Sequence, residues 1–153
     1  MRALPAALLA TLLVSGCARD ARAKPLPRQD WVARANAICK RADREIHALG
    51  GATTLDQLTR LLQESDRISD RQLDELRRLR PEAKELGTVT AILDSMARAD
   101  SALDAVQAAA QSRNWSQVEA EARRLRALSK QADRLVARYG VHECLSGNYT
   151  EPK

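Results

Sequence analysis

The chain has 153 residues, 25 Lys and Arg against 20 Asp and Glu, and a formal net charge of +5; only 3% of its side chains are aromatic and none is Phe. Cations interleave with acids along the whole sequence and stacking rings are scarce, which excludes a nucleic-acid partner despite the basic balance. Ala, Leu, Arg, Asp, Glu and Gln dominate and β-branched residues are few, a helix-forming composition with enough residues for one domain of modest size.

At the start, Met1 and Arg2 precede the apolar run Ala3–Val14, which has the length of the h-region of an export signal and is too short to cross a bilayer as a finished helix. The next residues, Val14, Ser15, Gly16 and Cys17, resemble the lipobox of bacterial lipoproteins, in which an aliphatic residue and two small ones precede a cysteine. The resemblance implies a signal peptide over residues 1–16, cleavage between Gly16 and Cys17, thioether attachment of diacylglycerol to the Cys17 sulfur and acylation, typically by palmitate, of the new amine. It places the protein on a membrane of the cell envelope, facing the periplasm or the exterior. Ala18 in place of Asp resembles the pattern sent to the outer membrane where a host has two. Cleavage after Ala21–Ala23 by an ordinary signal peptidase, giving a secreted protein, is the alternative. Two or three acyl chains hold a protein to a bilayer far more durably than one, at about 0.8 kcal/mol per buried methylene.

Residues 17–29 read as the lipidated cysteine followed by a flexible basic linker, because Pro25 and Pro27 block regular structure and Arg19, Arg22, Lys24 and Arg28 outnumber Asp20. A helical domain is expected over residues 30–145, with a flexible tail at 146–153. Its first segment, Asp30 to Leu49, carries Trp31, Ala35, Ile38, Ala42, Ile46 and Leu49 at helical spacing, with Asp30 as cap and Gly50 and Gly51 as stop. The second opens with a capping box at Thr54 and turns Leu55, Leu58, Leu62, Ser65, Ile68, Leu76 and Leu79 inward before Pro81 ends it. A third, Glu82 to Ala110, repeats Leu86, Val89, Leu93, Met96, Leu103 and Val106. The fourth follows a second cap signal at Asn114 and carries Trp115, Val118, Ala122, Leu125, Leu128, Ala132, Leu135 and Tyr139 to a stop at Gly140.

Four such stripes are buried most economically in an all-α, up-down antiparallel four-helix bundle, although a trimeric helical domain or an extended coiled coil satisfies the same pattern. The third segment is acidic and the fourth basic, which favours them as neighbours, and the Ala-rich face from Ala102 to Ala110 permits close approach. With Cys17 assigned to lipid, Cys39 and Cys144 remain, an even pair in an oxidising compartment. In an antiparallel bundle the end of the fourth helix returns to the start of the first, so the two can meet in a structural disulfide. Free thiols, a disulfide-linked dimer and a redox-active pair are the other uses of two cysteines.

The segment Ala35 to Ile46, "ANAICKRADREI", together with the ending "ARYGVHEC", Ala137 to Cys144, resembles a group of small secreted or lipid-anchored bacterial helical proteins with a first-helix cysteine and an aromatic-Gly-aliphatic-x-x-Cys ending. The resemblance supports the disulfide and implies no reaction.

Chemistry-bearing motifs are sparse. His47 lies one turn after Asp43 and near Glu45, a partial metal site short of two ligands, and His142 is distant in sequence. No HExxH, paired Glu-x-x-His, phosphate loop or G-x-S-x-G occurs, so neither catalytic residue, metal ligand nor cofactor is expected. The repeated quartet "RRLR" at Arg77–Arg80 and Arg123–Arg126 offers cations to an acidic partner or lipid surface, or is simply solvated. Two functions fit: the preferred one is a non-enzymatic binding, adaptor or structural lipoprotein that binds another envelope protein, and the alternative is a carrier of a small ligand or metal ion.

Overall fold

Proline shapes the entry to the bundle. The computed structural model describes residues 24–146; the expected signal peptide 1–16, Cys17, the linker up to residue 23 and the tail 147–153 lie outside the described residues. Leu26, extended because Pro27 follows it, pairs with the chain beyond the second helix: its N–H donates to the Arg80 carbonyl at 2.7 Å and its carbonyl accepts from the Glu82 N–H at 3.1 Å. The last part of the expected spacer is therefore fastened to the bundle, and the Leu26 side chain packs on the core.

Helix α1 spans Arg28–Ala48, with Pro27 at its N-cap and no side-chain cap bond. Asp30 is thus not the cap expected of it; it sits in the first turn, where its charge still opposes the helix dipole. Proline can replace a polar cap here because its fixed φ leads directly into helix. The helix stops where Gly50 takes a left-handed conformation at φ 73°. Helix α2, Leu55–Arg78, has the full capping box: the Gln57 N–H donates to Thr54 Oγ1 and the Thr54 N–H donates to Gln57 Oε1, both at 3.2 Å. After Pro81 a single 3₁₀ turn, Ala83–Glu85, precedes α3, Leu86–Gln111, so the α-helix starts one turn later than the periodicity predicts. Helix α4, Trp115–Tyr139, is capped by Asn114 Oδ1 accepting from the Gln117 N–H at 3.2 Å, and ends at Gly140 with φ 98°. A final 3₁₀ turn, His142–Cys144, closes the described chain.

The four helices form an all-α antiparallel bundle closed by one disulfide, with α2 between α1 and α3 and the closest seam between α3 and α4. Alanine makes that seam: Ala102, Ala109 and Ala110 are buried beside Val106, and small side chains let backbones approach. Opposite charge contributes elsewhere. The inter-helix ion pairs join α1 to α2 through Arg41 with Glu75 and Arg71 with Glu45, while Arg123 and Arg124 pair with Glu119 and Glu121 on their own helix.

The densest part of the core lies at the end where α1 begins and α4 finishes. Trp31, Ala35, Ile38, Cys39, Leu76, Val89, Ile92, Val136, Tyr139 and Val141 form one buried cluster. Two expected core residues are surface residues: Leu86 is 55% exposed and Trp115 53% exposed. Each is the first residue of its helix. Leu73, Ile92 and Val136, absent from the expected stripes, are buried because the contact faces are wider than a single i, i+3, i+4 row. Among the described residues no helix is long and apolar enough to cross a membrane.

Candidate functional site

At the dense end, Gly140 reverses the chain and lays the last 3₁₀ turn along α1. The Asn36 side chain fixes this turn twice, donating from Nδ2 to the Gly140 carbonyl at 3.3 Å and accepting from the Glu143 N–H at 3.0 Å. Cys144 then bonds to Cys39 across 105 residues, with Cα atoms 5.0 Å apart, and Cys39 is 1% exposed. Arg28 stands over the Tyr139 ring at 4.6 Å and donates to the Tyr139 carbonyl at 3.1 Å, and the Trp31 ring meets Tyr139 edge-on at 5.6 Å. Burial and the Glu85 carboxylate, which accepts from the Tyr139 hydroxyl at 2.9 Å, push that hydroxyl up to about 12. Every group in this clasp is engaged with another, as a structural joint requires.

Further along the bundle the packing opens. Here α1 and α4 are bridged by the C-terminal turn, and a cleft of about 340 Å³ lies between the helices. Its apolar walls are Leu62 and Leu73 from α2, Met96, Ala99 and Leu103 from α3, Leu125 and Ala132 from α4, and Ile46 from α1. Hydroxyls of Ser65, Ser69 and Ser129, the Gln72 amide and the carboxyls of Asp100 and Asp133 interrupt those walls. Cys144 and Ser146 form part of the lining, so the disulfide borders the cleft. Ser146, at the start of the expected flexible tail, is held by Asp133, whose carboxylate accepts its N–H at 2.8 Å and its hydroxyl at 2.6 Å.

Of the carboxylates, Asp100 and Asp133 line the cleft, and the charge around Asp100 is set by two carboxylate pairs. Asp66 and Asp70 stand one turn apart on α2, Asp100 and Asp104 one turn apart on α3, and these helices are antiparallel neighbours. Burial first, then the negative charges of Asp70, Asp66 and Asp104 and a hydrogen bond with Asp70, push the Asp100 carboxyl up to about 7. Burial and Asp104 likewise push Asp66 up to about 6, with Arg67 acting in the opposite direction. No Lys, Arg or His lines the cleft among the described residues. A half-buried carboxyl in an apolar cleft, crowded by like charges, is poised to exchange a proton or to meet a cation.

Sequence analysis missed this quartet, having read Asp100 and Asp104 only as part of an acidic helix. Its signal was present: two Asp pairs at i, i+4 on consecutive helices, at positions bordering the apolar stripes. The residues it did single out fall elsewhere. His47 Nε2 lies 3.5 Å from Asp43 Oδ1, confirming the shared face, but neither is part of the cleft lining. Among the described residues no group of three or more His, Cys, Asp or Glu is arranged to hold a metal ion. His142 is exposed in the terminal turn. The two Arg quartets sit at different levels of the bundle, Arg77–Arg80 at its dense end and Arg123–Arg126 about 20 Å along the axis, and form no common patch.

The comparisons with known proteins leave the geometry to speak for itself: no protein-family model matches the chain, and no curated protein or solved structure matches it significantly.

Proposed function

We propose that this chain is a non-enzymatic, lipid-anchored protein of the cell envelope that carries a small molecule in the cleft between its helices. The observation that carries this reading is the cleft itself: about 340 Å³, mostly apolar, with a few polar groups converging on it. Small-molecule sites have this anatomy and begin at about 300 Å³. An adaptor would instead call for a continuous exposed face, and the large exposed apolar side chains, Leu86 and Trp115, stand at opposite ends of the bundle. Support for the anchor comes from the order Val14, Ser15, Gly16, Cys17 behind an apolar run, and from two further cysteines joined in a disulfide, a state stable in an oxidising compartment.

Mass spectrometry of protein gently extracted from membranes tests both parts. The expected result is a diacylglyceryl or triacyl adduct on Cys17, lost in Cys17→Ser, together with a non-covalent small molecule that is lost in the cleft-filling variant Ala99→Phe. An unprocessed cytoplasmic chain would remove the anchor from the proposal. A chain that never carries a small molecule, and ignores every ligand titrated against it, would remove the carrier.

A further inference from the structure

Resting on the carrier reading, we infer that the cleft takes a small amphiphile with a protonated amine head, its apolar part against Leu62, Leu103 and Leu125 and its ammonium on the Asp100 carboxylate. The charge arrangement selects this class. Asp100 on α3 and Asp133 on α4 are the carboxylates of the lining; Asp66 and Asp70 from α2 and Asp104 from its own helix crowd Asp100 with like charge from outside the lining, while α1 contributes only the apolar Ile46 to it. Arg67 offsets part of the charge at Asp66 and is itself paired with Glu64 at 2.5 Å. The wall therefore carries an excess of negative charge that the fold leaves to be met from outside.

An anionic or zwitterionic headgroup would bring a carboxylate or phosphate against this wall at a cost, and a neutral ligand would leave the carboxylates uncompensated. An ammonium group replaces the proton that Asp100 otherwise retains near neutral pH and can donate to more than one oxygen. The serine hydroxyls of Ser65, Ser69 and Ser129 supply further acceptors beside it.

Three ligands with one tail and different heads separate the possibilities: n-octylamine, n-octanol and n-octanoate, titrated calorimetrically into the full chain carrying Cys17→Ser at about pH 8. Met96 lines the cleft and is the one methionine among the described residues, so its methyl resonance reports occupancy of the site and folding of each variant. The amine is expected to shift that resonance and to bind at least about tenfold more tightly than the alcohol, the factor for one charge-assisted hydrogen bond, with the acid weakest. Asp100→Asn is expected to bring the amine down to the level of the alcohol while the Met96 spectrum of the free protein stays folded. Equal binding of all three heads, with the methyl shifted, would overturn the ammonium inference and keep the carrier. A preference that survives Asp100→Asn would overturn the role of Asp100. If no ligand moves the methyl, both the inference and the carrier reading fall.

Discussion

Replacing Asp100 by Asn should stabilise the protein, and should do so only above acid pH. A carboxyl raised from 3.8 to about 7 has an ionised form that is unfavourable in the folded chain. Taken in full, that difference is about 4 kcal/mol; because Asp100 is only half-buried, solvent screening reduces it to roughly 1–2 kcal/mol. The sign follows from proton binding. Below about pH 4 the carboxyl is protonated in both folded and unfolded chains and costs nothing; between about pH 4 and 7 the unfolded chain releases its proton first, so stability falls as pH rises; above about pH 7 the penalty is complete. Asparagine keeps the shape without the charge and escapes the penalty at every pH. Urea unfolding of wild type and Asp100→Asn near pH 4 and near pH 8 measures the difference; carboxylates away from the group cancel in the comparison, and relief of Asp66, Asp70 and Asp104 near pH 8 acts in the same direction. An equal effect at both pH values, or a less stable variant near pH 8, would show that the wall around Asp100 is not an electrostatic liability.

Other parts of the structure yield sharper single numbers. Replacing Cys39 and Cys144 together by Ser opens a loop spanning 105 residues and should cost about 4.7 kcal/mol in the chain-entropy model, read as a lower urea midpoint and matched by wild type under reductant. Trp31→Ala removes a ring 1% exposed from the centre of the dense cluster and should cost about 3–5 kcal/mol by the same assay. Thr54→Ala breaks the capping box of α2 and should cost about 1 kcal/mol, with amide exchange accelerating first at Gln57. Arg113, at φ 55° between α3 and α4, is a non-glycine residue in the left-handed region, so Arg113→Gly should gain up to about 1 kcal/mol in thermal unfolding.

The helices were legible because each carries its own punctuation. Thr54 with Gln57, Asn114, Gly50, Pro81 and Gly140 are local signals, and each acts in the structure where the chain places it. The disulfide was legible once an antiparallel bundle was inferred, since α4 finishes beside the start of α1 and a tail turning back at Gly140 reaches Cys39 midway along it. Less legible were features set by neighbours. Leu86 and Trp115 match the apolar spacing, but a helix's first residue has no facing partner when its neighbour ends at the same level. Leu26 looks like spacer until Arg80 and Glu82 offer it hydrogen bonds from a distant part of the chain. The acid wall is of the same kind: Asp66, Asp70, Asp100 and Asp104 are ordinary surface aspartates on their own helices and become a group only when α2 and α3 pack.

Why the cleft exists is also written in the side chains. At the dense end Trp31, Tyr139, Leu76 and Ile92 fill the space between helices, and the disulfide and Asn36 pin α1 to the end of α4. Farther along, the inward positions Ser65, Ser69, Ala99, Ser129 and Ala132 are small, and the chain has no Phe with which to fill what they leave. Bulk and covalent restraint are thus concentrated at one end, and the other is held by the α3–α4 seam, where Ala102, Val106, Ala109 and Ala110 are buried. The clasp fixes the register of α1 against the end of α4, and the small side chains around the cleft leave room for a guest. The same cleft gives Asp100 a way out of its cost, because a cation entering it would offset the carboxylate charge that burial and the neighbouring aspartates disfavour.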